Sequence, residues 1–146
     1  MKVSIVYGSA SDKPIMDKAE AVLEEFGVDF SSYIISAHRN PDKLEAAVRS
    51  FEDDGTAVII AGAGLSAALP GVIASKTLIP VIGLPIKSGG LGGLDALLSI
   101  VQMPKPIPVA TVGIDNAANA AYLALQIMAA FDEGLKKKLK DFRINL

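Results

Sequence analysis

The sequence predicts an α/β fold: a three-layer sandwich with a doubly wound, parallel, five-stranded sheet, in one domain over residues 1–146. Short runs rich in β-branched residues alternate with longer segments whose apolar residues recur every three or four positions. That rhythm is typical of parallel βαβ units. One run, Ala57–Ala61, is apolar throughout, as in a strand covered by helices on both faces. Aromatic residues make up only 5%, so the apolar material is mostly aliphatic and suits closely packed helices and strands.

The first strand and helix have recognisable boundaries. Lys2–Tyr7 is rich in β-branched residues and ends at Gly8. From Asp12 to Phe26 the apolar residues are spaced by one, three or four positions, so they form one face of a helix. A serine or aspartate in the preceding loop can cap this helix, and Gly27 ends it.

A second strand and helix follow. Asp29–Ile35 is the predicted strand. Asn40 is expected as the N-cap of the next helix, with Pro41 at its first position. An apolar stripe with helical spacing continues from there, and Gly55 closes the helix.

The middle of the chain contains two further strands and many small residues. The strand Ala57–Ala61 leads through a Gly62–Gly64 turn into a helix from about Ser66 to Thr77. Pro80–Leu84 is the fourth strand, and the loop Pro85–Gly93 that follows it is rich in glycine.

The last part of the chain adds three helices and one strand. A short helix over Leu94–Val101 stops at Met103-Pro104, and Ile107–Val112 is the fifth strand. Helices then extend over Ala117–Ala130 and from Asp132 to about Phe142. A lysine run in the last helix is interpreted as a solvated face.

Composition excludes several classes of protein. With 51% apolar and 21% charged residues, the chain is too hydrophobic to be disordered. A mean hydropathy of +0.42 is high for so small a domain, so we expect faces buried between subunits of a homo-oligomer. The net charge of −2, without a basic patch, argues against nucleic acid. With no cysteine, signal peptide or unbroken apolar span, we expect a soluble cytoplasmic protein without a membrane partner.

Ligands of open α/β sheets bind beyond the carboxyl ends of the strands, near the point where the strand order reverses. With the strand order 2-1-3-4-5 of flavodoxin-like folds, which we predict here, four loops meet at one crevice. These loops are Gly8–Asp12, Ser36–Pro41, Gly62–Ser66 and Ser88–Gly93. Their glycines permit close approach of the backbone, their hydroxyl and N–H groups suit an anion, and Arg39 suits phosphate. The sequence therefore predicts a pocket for a small phosphorylated molecule.

His38 and Asp12 are the titratable groups of that pocket. His38 is the only histidine of the chain, and imidazole is the side chain that titrates nearest neutral pH. A lone histidine is more often an ordinary loop residue. Its assignment as a general acid/base therefore depends on the loops around it.

Other interpretations of the motifs are weaker. Gly62–Ala67 matches the GxGxxA pattern of dinucleotide sites, but the following strand runs into Pro85 without the expected acidic residue. No cluster of histidine, aspartate and glutamate has the spacing of a metal site, so we expect no metal. Asp95 and Asp115 are expected to cap helices.

Six motifs occur in a fixed order over nearly the whole chain. They are Gly8-Ser9-x-Ser11-Asp12, Ser36-Ala37-His38-Arg39-x-Pro41, Leu69-Pro70-Gly71, Ser99-Ile100-Val101-Gln102-Met103-Pro104, Val109-Ala110-Thr111 and Asn119-Ala120-Ala121. Together they resemble the N5-carboxyaminoimidazole ribonucleotide mutase family of purine biosynthesis. The resemblance implies a flavodoxin-like domain assembled as an octamer. It also implies conversion of N5-carboxyaminoimidazole ribonucleotide to its 4-carboxy isomer through carbon dioxide, without a metal or an organic cofactor.

The resemblance also implies roles for individual residues. His38 would be the general acid/base, while Ser9, Asp12 and Arg39 would bind the ribonucleotide with Ser36 beside them. The remaining expected substrate-binding residues, from the same loops, are Ser11, Gly64, Leu65, Ser66, Ser88 and Leu91.

One loop departs from the mutase pattern. Where the mutases carry Gly-Gly-Ala-Ala-His-Leu-Pro-Gly, this chain has Ala68 in place of the second histidine. The related aminoimidazole ribonucleotide carboxylases, which use free carbon dioxide, carry Ala-Gly-x-Ser-Asn-Ala-Leu. Ala63–Leu69 matches this pattern except at Ala67. More of the chain resembles the mutases, so we expect that activity. The alternatives are the carboxylase, a non-catalytic nucleotide-binding module, and a relative acting on another ribonucleotide.

Overall fold

The computed structural model describes residues 1–146 and contains a five-stranded, all-parallel sheet of order β2-β1-β3-β4-β5. The predicted fold class and strand order are therefore confirmed. The strands are β1 (Lys2–Tyr7), β2 (Phe30–Ile34), β3 (Thr56–Gly64), β4 (Val81–Ile86) and β5 (Ala110–Thr111). The helices are α1 (Lys13–Phe26), α2 (Pro41–Asp53), α3 (Leu69–Ala74), α4 (Leu94–Val101), α5 (Ala117–Ala129) and α6 (Glu133–Ile144), with 3₁₀ turns at Ala10–Asp12 and Gly89–Leu91.

Two apolar clusters, one on each face of the sheet, make the three layers. Alternate residues of a strand point to opposite faces, so Ile60 belongs to one cluster and Ile59 to the other. Helices α1, α5 and α6 cover the first face, and α2, α3 and α4 cover the second. No helix combines the length and the apolar character needed to cross a membrane.

The predicted boundaries of α1 and α2 are confirmed within a residue or two, but neither N-cap residue, Asp12 or Asn40, makes the expected side-chain hydrogen bond. Gly27 ends α1 in the left-handed conformation, with φ of 67°, as predicted. Asn40 does precede Pro41 at the start of α2, yet its side chain makes no cap hydrogen bond. Its N–H instead donates to the carbonyl of Ser36 at 2.9 Å, which closes the turn after β2.

The predicted Gly62–Gly64 turn is wrong, because β3 continues through it. Ala61–Gly64 pairs with Gly83–Ile86, so β4 also runs two residues further than predicted and includes Pro85. The proline is tolerated because β5 has already ended there, and its missing N–H removes no bond between strands.

Elements α3 and β5 are shorter than predicted. The start of α3 moves from Ser66 to Leu69, because residues 65–68 form two tight turns in which Ala67 and Ala68 donate to the carbonyls two residues earlier at 2.8 and 2.7 Å. Strand β5 pairs only two residues with β4. Three prolines in the segment before it, at 104, 106 and 108, remove the N–H groups that a longer strand needs.

Neither Asp95 nor Asp115 caps a helix, contrary to expectation. Gly93 takes the cap position of α4, and one carboxylate oxygen of Asp95 is buried without a hydrogen-bond partner. The cap of α5 is Asn116, whose side chain accepts the N–H of Asn119 at 3.2 Å.

Candidate active site

The carboxyl ends of β1 to β4 open into a cleft of about 410 Å³ that is lined by the four predicted loops. All predicted site residues except Leu91 line it, namely Ser9, Ser11, Asp12, Ser36, His38, Arg39, Gly64, Leu65, Ser66 and Ser88. Leu91 lies outside the cleft, at the end of a 3₁₀ turn, with its side chain 68% exposed. The cleft occupies the place that the reversal of strand order between β1 and β3 dictates.

The loop after β1 folds around the hydroxyl of Ser9. That hydroxyl accepts the N–H of Ser11 at 3.3 Å and pairs with the Ser11 hydroxyl at 2.9 Å. The resulting 3₁₀ turn delivers Asp12 to the cleft just before α1 begins. Burial raises the pKa of the Asp12 carboxyl above its usual value, and hydrogen bonds from Ser9 and Ser11 oppose only part of that shift. A partly desolvated carboxylate of this kind is a strong acceptor for ligand hydroxyl or amino groups.

The loop after β2 is a single turn tied to the loop after β1. The backbone N–H of Arg39 donates to the hydroxyl of Ser36 at 3.2 Å. The guanidinium Nη2 of Arg39 donates to the carbonyl of Gly8 at 2.9 Å. Since a guanidinium has five N–H donors, the others are left to face a ligand.

His38 lies within this turn, between Ser36 and Arg39 along the chain, and both of those residues form hydrogen bonds. Its side chain is exposed and lines the cleft. The imidazole makes no hydrogen bond or ion pair within the chain, so both ring nitrogens are open to a ligand. The arrangement places an imidazole without a partner in the same cleft as the guanidinium of Arg39, a group that suits an anion.

The loops after β3 and β4 form the opposite wall. Gly64 faces Ser88 so closely that a Cβ there would lie 3.0 Å from the Cβ of Ser88 and 3.1 Å from the carbonyl of Ile86. Leu65 follows in the left-handed conformation, with φ of 55°, and is half exposed. Ala68 lines the cleft directly before α3, so that this wall offers a methyl group and no second imidazole.

Except for Leu65, the apolar residues of the lining were not among the predicted site residues. Ala37, Ala63, Ala67 and Leu69 also border the cleft. Alanine carries no chemical signal that distinguishes a site wall from ordinary core, so only the structure identifies these residues. The chain contains no cluster of three or more side chains suited to hold a metal ion.

Comparison with known proteins gives consistent matches over the whole chain. The sequence model of the AIR carboxylase family matches residues 2–146. The N5-carboxyaminoimidazole ribonucleotide mutase of Pyrococcus abyssi is 58% identical over 142 residues, covering 97% of this chain and 82% of that protein. The phosphoribosylaminoimidazole carboxylase of Saccharomyces cerevisiae is 49% identical over 140 residues, covering 96% of this chain but 24% of the yeast protein. The crystal structure of Treponema denticola PurE superposes with a TM-score of 0.90 at 29% identity, covering 98% of this chain and 89% of that one.

Proposed function

The chain belongs to the AIR carboxylase family, and from that membership we propose that it is the purine-biosynthesis enzyme that converts N5-carboxyaminoimidazole ribonucleotide to the 4-carboxy isomer. The observation that carries the assignment of the site is the hydrogen bond from Arg39 to Gly8. It joins the His38 turn to the Ser9–Asp12 loop, so that a proton carrier stands beside an anion-binding loop.

Substrate binding follows from the chemistry of the first two loops. The guanidinium of Arg39 and the hydroxyls of Ser9 and Ser11 suit the phosphate, with Ser36 beside them. The carboxylate of Asp12 repels phosphate and accepts hydrogen bonds, so it suits a hydroxyl of the ribose. The wall formed by Gly64, Leu65, Ser66 and Ser88 is left for the base.

His38 alone can balance the protons of the reaction. Breaking the bond between the amine nitrogen and its carboxylate releases carbon dioxide, and the nitrogen takes up one proton. Carbon 4 of the ring then attacks carbon dioxide, forms the new carbon–carbon bond and loses one proton. A protonated His38 that donates in the first step and accepts in the second returns to its starting state.

The apolar wall suits the intermediate stage of this reaction. Carbon dioxide is small and uncharged, and the side chains of Ala63, Ala67 and Ala68 offer it no competing polar group. Exclusion of water from this region keeps carbon dioxide beside the ring until carbon 4 attacks.

Residues 1–146 act in this proposal as a single ribonucleotide-binding catalytic domain that assembles into a homo-octamer in the cytoplasm. Leu94, Leu98 and Val101 lie four and three residues apart on α4, and each is at least 50% exposed, which supports burial of this face between subunits. The absence of cysteine from the chain suits a reducing compartment.

The carboxylase activity is the second candidate function. It is favoured by Ala68, which lines the cleft where the mutases carry a histidine, and by the relative in yeast that bears the carboxylase name. In that reaction the ribonucleotide takes up free carbon dioxide at carbon 4, so only the second half of the mechanism above is needed.

Separate assays of the two substrates distinguish these candidates. N5-carboxyaminoimidazole ribonucleotide with ¹³C in its N-carboxylate is supplied in unlabelled bicarbonate buffer, and we expect rapid turnover with the label retained in the product. Aminoimidazole ribonucleotide is supplied in parallel over a range of bicarbonate concentrations. Turnover that rises with bicarbonate, together with no reaction of the N5-carboxy compound, would contradict the mutase assignment and support the carboxylase.

A further inference from the structure

Asp115 has an unusual backbone. It and Leu65 are the two non-glycine residues with positive φ, at 58° and 55°. Left-handed backbone is uncommon for non-glycine residues, although aspartate and asparagine adopt it more readily than most. Asp115 lies in the loop after β5, outside the residues that line the cleft.

The backbone and side chain of Asp115 extend the sheet beyond the end of β5. The N–H of Val112 donates to the carbonyl of Gly83 at 3.2 Å, and the N–H of Asp115 donates to the carbonyl of Pro85 at 2.9 Å. The N–H of Lys87 then donates to the carboxylate Oδ1 of Asp115 at 2.8 Å. Gly83, Pro85 and Lys87 are two residues apart along β4 and its extension, so the groups that form these bonds face the same edge of the sheet. A side-chain oxygen therefore takes the place that a backbone carbonyl would have if β5 were longer.

The segment held in this way leads directly to the cleft. Ser88 follows Lys87 and lines the cleft in extended conformation. On its other side, Ser88 lies so close to Gly64 that a Cβ on Gly64 would come within 3.0 Å of the Ser88 Cβ. The next residue lies beside Leu65, since a Cβ on Gly89 would lie 2.9 Å from Leu65 Cδ2. The two left-handed residues thus flank the loop that carries Ser88.

We propose that Asp115 is a positioning residue for the ribonucleotide site, which holds Ser88 at the cleft through the hydrogen bond from Lys87. This inference rests on the proposed function of the cleft and adds to it a residue that neither lines the cleft nor belongs to a recognised motif. The loop of His38 lies after β2, at the other side of the cleft, so Asp115 affects substrate binding and not proton transfer.

The test compares KM and kcat for N5-carboxyaminoimidazole ribonucleotide among variants of the full chain. Asp115→Ala removes the acceptor, and we expect KM to rise about tenfold with kcat changed less than about twofold. Asp115→Gly frees the backbone but also lacks the acceptor, so it should behave like the alanine variant. Asp115→Asn keeps an acceptor oxygen and tolerates the left-handed conformation, so KM should stay within about threefold of the parent protein.

A double-mutant cycle and a matched control separate positioning from general stability. If Asp115 acts through Ser88, adding Asp115→Ala to Ser88→Ala raises KM little further. Asp132→Ala is the control, because it removes a similar acceptor of a backbone N–H, that of Leu135 at 2.9 Å, at the start of α6. It should lower stability without changing KM. An unchanged KM in Asp115→Ala, or fully additive effects with Ser88→Ala, would overturn the proposal.

Hydrogen exchange makes this test independent of the proposed function. The Lys87 amide should be protected in the parent protein and in Asp115→Asn, and should exchange faster in Asp115→Ala. If the parent protein converts neither substrate, the proposed function fails while this exchange pattern remains. If Lys87 stays equally protected in Asp115→Ala, the inference fails whatever the activity.

Discussion

The two ends of the sheet differ in whether their polar side chains have partners within the chain. At the amino end, Lys2 Nζ lies 2.7 Å from Asp54 Oδ2, and Asp54 Oδ1 accepts both the N–H and the hydroxyl of Thr56, at 3.0 and 2.6 Å. The hydroxyl of Thr56 in turn lies 2.8 Å from that of Ser4, which is fully buried. Every member of this network has a partner within the chain.

At the carboxyl end, polar side chains face the cleft, and two residues have left-handed backbone. His38 has no partner within the chain, and Asp12 contributes a partly buried carboxyl to the cleft. Two left-handed residues, Leu65 and Asp115, flank the Ser88 loop on the same end of the sheet. Both ends are built from the same parallel strands, so the difference comes from the side chains that follow each strand.

The pKa shifts at the two ends show what this difference means for stability. The hydrogen bond to Asp54 raises the pKa of the Lys2 amine. Burial alone would raise the pKa of the Asp54 carboxyl, but the hydrogen bonds from Lys2 and Thr56 outweigh it and lower that pKa. Burial instead raises the pKa of the Asp12 carboxyl. Charges at the amino end therefore stabilise the fold, whereas the Asp12 charge destabilises it and is available to a ligand.

The largest effect at the carboxyl end of the sheet is expected from His38→Asn. Asparagine cannot exchange a proton near neutral pH, so kcat should fall about 10²–10⁴-fold, the usual contribution of a general acid/base. The melting temperature should stay within about one degree of the parent protein, since the ring is exposed and unpartnered. Steady-state kinetics and a melting curve measure the two quantities. Full activity in this variant would remove His38 from the mechanism, whereas the non-catalytic alternative predicts turnover in neither protein.

Asp12→Asn should weaken the site and strengthen the fold. We expect KM to rise about tenfold, because a charged acceptor for the substrate is lost. At pH 7 the free energy of unfolding should increase, because the variant no longer ionises a partly buried carboxyl.

The sign of the Asp12 effect can be checked with pH. The folded-state pKa is raised, so the destabilisation is present above that pKa and disappears as the pH falls through it toward the unfolded value of about 3.8. The stability gain of Asp12→Asn should vanish over the same range in denaturant titrations. The control is Asp29→Asn, an exposed carboxylate of the opposite sheet end, which should change neither quantity. A loss of stability in Asp12→Asn at pH 7 would contradict the assignment of burial as the cause.

Sequence patterns predicted the fold wherever burial alone determines it. The spacing of Met16, Leu23 and Phe26 defines the buried face of α1, and the strand order follows from regular βαβ connections. The predictions were wrong where a local hydrogen bond or a close approach between two residues determines the structure. The sequence predicts Gly64 in a turn, although it belongs to β3, and a side chain at this position would collide with Ser88.

The polar part of the cleft was predictable because strand ends converge in any open parallel sheet. The role of Asp115 was not predictable, because its partner Lys87 is 28 residues away and only the short length of β5 leaves that N–H free. An aspartate directly before a helix can either cap that helix or replace a backbone carbonyl as an acceptor for the neighbouring strand. The sequence cannot distinguish them without the left-handed backbone.

The smallest effect is expected at the amino end, from Asp54→Asn. The variant loses the charge that pairs with Lys2, a partly exposed ion pair, so the free energy of unfolding at pH 7 should fall by about 0.5–1 kcal/mol. Since the folded-state pKa of Asp54 is lowered, this contribution is present above the unfolded value of about 3.8 and is lost as the pH falls through the folded pKa. Denaturant titrations from pH 7 to pH 2 should therefore show that the stabilities of the two proteins converge in acid.

The adjacent Asp53→Asn serves as control, since Asp53 is exposed and has no ion pair, and it should not lower stability. Specific activity should be unchanged in both variants, because the sheet separates Asp54 from the cleft. A drop in kcat/KM for Asp54→Asn alone would show that the network at the amino end of the sheet is coupled to the cleft at the carboxyl end.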